Sequence, residues 1–114
     1  MNIHITTFSV LHGIEFHPQP CQHYHHQHSH TFGLHLNHKI IDGVPVPLGT
    51  YIATELTSGF KLSATESPDL TTTRQLLQQL LDSKGAAATD RCVCRAHTLI
   101  HQWKTRQEET PTHI

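Results

Sequence analysis

Residues 31–43 read Thr31-Phe32-Gly33-Leu34-His35-Leu36-Asn37-His38-Lys39-Ile40-Ile41-Asp42-Gly43. Phe32, Leu34 and Leu36 alternate with Thr31, Gly33 and His35, the period of a strand that turns one face to a core. Ile40 and Ile41 continue the apolar run, and Asp42-Gly43 is a turn signal. Upstream, residues 2–12 are β-branched and partly alternating, which predicts a strand ending at His12. Between the two lies a polar stretch over 13–29, opened by Gly13 and carrying Pro18 and Pro20, which predicts a loop. A His-rich loop is expected at 17–30, and its end, His23 to His30, is compositionally biased. Downstream, Pro45, Pro47 and Gly49 interrupt the pattern, and residues 50–56 and 59–64 are expected to pair as a hairpin around Ser58-Gly59.

The clearest helix covers residues 67–83. Ser67 is a candidate cap, Pro68 suits the first helical position, and Asp69 favours the positive end of the dipole. Leu70, Leu77 and Leu81 form one stripe with Leu76 and Leu80 beside it, and Lys84-Gly85 closes the helix. Ala86-Ala87-Ala88 reads as a spacer. Residues 91–108 fit two patterns. Val93, Ala96, Ile100 and Trp103 make a helical stripe, whereas Cys92 to Ala96 also alternates as a strand does. Strands followed by helix predict an α+β fold, a small antiparallel sheet with one or two helices packed on one face.

The chain has 114 residues, 36% of them hydrophobic and 15% charged. This length suits a single domain over 1–114, with a frayed tail from Glu108. Eight basic and nine acidic side chains leave a net charge of −1, without the basic excess that nucleic-acid binding calls for. Lys84, Arg91, Arg95, Lys104 and Arg106 bias the last third, but Asp82, Asp90, Glu108 and Glu109 offset most of it, as on a solvated helix face. No apolar run is long enough for a membrane span, and the N-terminus lacks the pattern of a secretory signal. The odd cysteine count of three argues against a disulfide framework, so a cytoplasmic setting is expected.

Histidine is the loudest feature, with 13 in the chain. Neutral imidazole is the commonest protein ligand for transition metals. On a strand His28 and His30 would share a face, and His12 is a candidate third ligand. Three histidines around zinc leave one position open for chemistry. The alternative is a solvated, biased segment that binds metal loosely and without fixed geometry.

Phe8-Ser9-Val10-Leu11-His12, then Cys21, His28-Ser29-His30 and Phe32, stand in the order of a motif in the 6-pyruvoyl- and 6-carboxy-tetrahydropterin synthases. The Phe32–Leu36 strand, Ile40-Ile41-Asp42 and the Glu66-Ser67-Pro68 helix start are also similar to that family. The resemblance covers chiefly the first half of the chain. It implies an antiparallel sheet with two helices on one face, oligomerising into a barrel. It implies zinc on His12, His28 and His30, with Cys21 as the general base acting on the side chain of a reduced pterin, and a strand near residue 92. The activity implied is a zinc-dependent lyase converting dihydroneopterin triphosphate.

A second group lies at Cys92, Cys94, His97 and His101. On a helix Cys94, His97 and His101 share a face opposite the apolar stripe, and a structural zinc there is an alternative site. Cys92 projects towards the apolar side and is equally readable as a buried thiol. Two function classes follow. One is a small zinc-binding protein, in its enzymatic form acting on a small-molecule substrate. The other is a non-enzymatic, zinc-stabilised interaction module or small regulator, of viral or plasmid-borne type, that binds a host protein. A metal buffer is a third reading. A homo-oligomer is expected.

Overall fold

The computed structural model describes residues 6–12 and 15–109. The elements run β1 (Thr6–His12), β2 (Glu15–Cys21), β3 (His23–Gln27), β4 (His30–Ile41), β5 (Val44–Glu55), β6 (Lys61–Ser67) and α1 (Leu70–Glu109). β1 and β2 pair as one antiparallel hairpin, and β3-β4-β5-β6 form an antiparallel meander. The fold is therefore α+β, a four-stranded antiparallel sheet with a long helix against it.

β4 obeys its alternation. Phe32 and Leu34 are buried and meet Ala53 of β5, Leu77 and Leu81 of α1, with Leu62 and Leu70 packed against the cluster. Truncating Leu77 or Leu81 to Ala would remove about 2–5 kcal/mol, the usual loss for a large core side chain. On the other face of the sheet His35, Ile52 and Thr54 are also buried. His35 hydrogen-bonds through Nε2 to Thr54 Oγ1 at 2.7 Å and through Nδ1 to the Leu36 carbonyl at 2.7 Å, which satisfies both ring nitrogens in a buried site.

The loop expected over 13–29 is replaced by strands in β2 and β3. In β3 half-buried His23, His25 and Gln27 alternate with exposed Tyr24 and His26. Polar side chains suit this edge strand because, among the described residues, its backbone is paired on one side only. Pro18 and Pro20 are accommodated in β2, which among the described residues pairs with β1 alone.

β5 is not interrupted at Pro45, Pro47 and Gly49. It runs through them because, among the described residues, 44–47 pair with β4 alone, so the other edge needs no N–H donors. Gly49 sits in a bulge at φ 79°. Between the pairs Leu36↔Tyr51 and His38↔Pro47, β5 sets Leu48, Gly49 and Thr50 against Asn37 alone. The Asp42-Gly43 turn has positive φ at both residues, the twist a two-residue hairpin requires. The β5–β6 hairpin forms as expected around the 56–60 turn. Its own bulge leaves the Ala53 N–H without a ladder partner, and Thr65 Oγ1 accepts it at 2.9 Å.

The cap of α1 is Asp69, not Ser67. Asp69 Oδ2 accepts the Thr72 N–H at 2.9 Å, while Ser67 ends β6 and its Oγ accepts the Asp69 N–H at 3.2 Å. Gly85, at φ 78° and ψ 172°, divides α1 into two helical halves. This is a conformation essentially confined to glycine. Residues 86–88 are helical rather than a spacer. The segment around Cys92 is helix, so the strand that a tetrahydropterin synthase places there is not formed. Ile100 is buried, and Val93, Ala96 and Trp103 are half-buried on the expected stripe. The expected frayed tail lies mostly outside the described residues.

Candidate functional site

The histidines predicted as zinc ligands do not converge in the described part of the chain. His28 and His30 do not share a strand face. His28 and Ser29 form the β3–β4 turn with φ 56° and 66°, and His30 opens β4. Each ring reaches the helix through its Nε2. His28 Nε2 lies 3.0 Å from the Leu81 carbonyl, and His30 Nε2 lies 2.7 Å from Asp90 Oδ1. Next to them Gln27 donates to Asp82 Oδ1 at 2.8 Å and accepts from Gln78 at 2.9 Å. The turn thus grips α1 on both sides of Gly85. His12 closes β1, opposite Glu15, and its side chain is outside the described residues. Among the described residues no three His, Cys, Asp or Glu side chains are grouped to hold a metal ion.

Cys21 is fully buried, and its thiol donates to the His23 carbonyl at 3.1 Å and lies 3.7 Å from the Leu34 carbonyl. Burial pushes the Cys21 thiol up, against smaller opposing effects of these hydrogen bonds. A general base must be deprotonated and reachable. Cys21 is placed as a packed thiol hydrogen-bonded to carbonyls, the opposite of that requirement.

Cys92, Cys94, His97 and His101 are all exposed along α1 and do not form a metal-holding group. Cys92, equally readable from the sequence as a buried thiol, is exposed. His97 is engaged elsewhere: its Nε2 lies 2.9 Å from Thr57 Oγ1. Thr57 in turn donates to Glu55. Burial pushes the Glu55 carboxyl up, but hydrogen bonds from Ser58 and Thr57 outweigh it and hold the group below the usual carboxylate range. The trio fastens the β5–β6 turn to the second half of α1.

The feature that sequence reasoning passed over is the distal half of the β4–β5 hairpin. Residues 38–41 and 44–47 pair only with each other among the described residues. This arm carries exposed Ile41, Val44 and Leu48 at 43%, 58% and 42% relative exposure. The signal was present as apolar residues on both sides of Asp42-Gly43, hidden by the prolines between Val44, Val46 and Leu48.

A polar cluster fixes the arm at its root. Asn37, buried beside the bulge, donates to Glu66 Oε2 at 2.9 Å, and Thr50 donates to the same oxygen at 2.6 Å. Lys61 donates to Asn37 Oδ1 and to the His38 carbonyl, both at 2.8 Å. Hydrogen bonds from Thr50 and Asn37 hold the Glu66 carboxyl below its ordinary range. Burial pulls the Lys61 ammonium down, and Glu66 partly offsets this.

No family model matches the chain, and no curated protein or solved structure matches it. Among the described residues no helix is long and apolar enough to cross a membrane.

Proposed function

We propose that the chain is a non-enzymatic interaction domain that engages a protein partner through the β4–β5 arm. The observation that carries this reading is the exposure of Ile41, Val44 and Leu48 together on one two-stranded projection. Scattered single apolar residues are ordinary on a surface, whereas a group on one projecting element favours contact with another macromolecule. The root cluster of Asn37, Lys61, Glu66 and Thr50 supports the reading further, because a prefixed arm loses less conformational freedom on binding. The prolines favour recognition by side chains over strand addition. Pro45 and Pro47, two residues apart, remove donors from the same edge of β5.

The test is photo-crosslinking in the native host from a benzophenone side chain at Val44, with the same probe at exposed His26 as control. A discrete adduct from position 44, lost in the Ile41→Asp/Leu48→Asp variant, is the expected result. Sedimentation of the purified chain then tells whether the partner is a second copy. A crosslinking pattern identical at positions 44 and 26, unchanged by the double substitution, overturns the reading.

A further inference from the structure

The outer edge of β3 has no strand partner among the described residues. The groups on that edge follow from the hairpin. His28 and Ser29 make a two-residue turn with positive φ at both positions, and such a turn is closed by a hydrogen-bonded pair, here Gln27↔His30. Bonded and non-bonded pairs then alternate along an antiparallel ladder. His25↔Phe32 is a bonded pair, while His26↔Thr31 and Tyr24↔Gly33 are not. The Thr31 carbonyl agrees with this phase, because it accepts the Leu56 N–H at 3.0 Å and so faces β5. Tyr24 and His26 therefore turn their backbone N–H and C=O groups outward, to the open edge.

Nothing in β3 blocks the approach of another strand. Its residues are His23-Tyr24-His25-His26-Gln27, with no proline and no Lys, Arg, Asp or Glu, the residue types that normally guard an edge. The opposite edge of the same sheet, β6, carries Lys61 and Glu66, and the arm carries Pro45 and Pro47. α1 packs chiefly over β5 and β6 and reaches β3 through the Gln78 and Asp82 side chains, which bond Gln27.

We propose that two copies of this chain join through this edge, β3 against β3, antiparallel about a two-fold axis at His25. The two four-stranded sheets then become one continuous sheet. The phase is self-complementary. With His25 opposite its counterpart, Tyr24 of each copy meets His26 of the other, and both residues face outward, so each pair exchanges two backbone hydrogen bonds. A register centred on Tyr24 would set His26 against Gln22, whose N–H is already donated to the Leu34 carbonyl. One centred on His26 would set Tyr24 against His28 in the turn. Exposed Tyr24 of each copy also comes to lie beside exposed His26 of the other, an aromatic cross-strand pair. The two-fold closes the assembly, because each copy has then used its open edge. This surface is separate from the β4–β5 arm, so neither proposal depends on the other. A probe at position 26 would join two copies of this chain and remain distinct from an adduct of the arm with another protein.

The experiment is sedimentation of the purified chain over a wide concentration range, with variants on the axis. A monomer–dimer equilibrium is expected. His25→Lys and His25→Glu each set like charges directly opposite one another and are expected to weaken the dimer severalfold, while an equimolar mixture of the two regains it. Recovery in the mixture also shows that both variants fold. His26→Pro deletes an outward N–H and keeps the ladder with β4, so it should weaken association about tenfold with the circular dichroism unchanged. Ile41→Asp/Leu48→Asp should leave the dimer intact. A monomer at every concentration, a trimer or larger ring, or a dimer that the arm variant dissolves and the His25 variants do not, overturns the proposal. So does a mixture of the two His25 variants that associates no better than either alone.

Discussion

Asn37 donates to Glu66 at 2.9 Å while its amide oxygen accepts from Lys61 at 2.8 Å, so one buried side chain joins a carboxylate and an ammonium across the root of the β4–β5 arm. Asn37→Ala would leave Glu66 with Thr50 as its remaining hydroxyl donor and Lys61 with the His38 carbonyl. Removing one partner of a half-buried network exposes the others to their desolvation cost, about 1–3 kcal/mol. The expected outcome is a loss of that size by urea denaturation. Hydrogen exchange should quicken in residues 38–48 before it does in α1. Uniform acceleration across both elements would contradict the assignment of the cluster to the arm.

The β3–β4 turn holds two non-glycine residues at positive φ, His28 and Ser29. Each pays the steric penalty of an L side chain in the left-handed region, roughly 1–2 kcal/mol in a regular setting. Ser29 is exposed, and its hydroxyl makes no hydrogen bond among the described residues. Ser29→Gly should therefore raise stability by about 1 kcal/mol, after the greater entropy of the unfolded glycine is deducted. The gain would be read as a higher melting temperature.

Acid should weaken the fold in a step that begins with His23. Burial lowers its affinity for a proton, and the Arg74 guanidinium and His25 add to this. The folded state then binds fewer protons than the unfolded chain between the depressed value and the ordinary one near 6.5. Stability rises with pH across that window and is lost as pH falls through it. Glu55 and Glu66 are both depressed, so their contributions hold above the ordinary carboxylate value of 4.5 and disappear as pH drops through the folded values. Melting temperature against pH should fall first below about pH 6.5. His23→Gln should remove that first decline and leave the carboxylate one.

Zinc provides a direct contest with the histidine expectation. A metal held through the Nε2 atoms of His28 and His30 would have to displace the Leu81 carbonyl and Asp90. Zinc is therefore expected to leave the melting temperature unchanged or to lower it. A metal that bound the folded state tightly would instead raise it by mass action. A rise of several degrees, abolished by His30→Ala and by His12→Ala but kept in Cys94→Ala, would reinstate a metal centre.

The parts of the fold that the sequence made legible are those where burial and periodicity agree. Phe32 and Leu34 in β4, the Asp42-Gly43 turn, and Leu77 and Leu81 in α1 each carry their own signal. Residues 15–27 did not, because their strand character comes from backbone pairing with β1 and β4 while their side chains are polar. Ser67 was a plausible cap by residue type, but β6 uses it, and Asp69 takes the role. The zinc expectation rested on counting imidazoles and on placing His28 and His30 on one strand. A turn at residues 28 and 29 breaks that placement, and turn geometry in a histidine-rich stretch has no strong sequence mark. Glu55 and Asn37 escaped notice because a lone carboxylate or amide declares its importance only through partners far along the chain.

Pro45 and Pro47 bear on how such a projection survives in a crowded solution. A ribbon that displays isoleucine, valine and leucine would ordinarily be a seed for fibrils, as each molecule could stitch its margin to the next. With two stitches missing along one margin, growth in that direction stalls after the first encounter. The chain can offer sticky side chains at its tip without recruiting copies of itself into an endless ribbon.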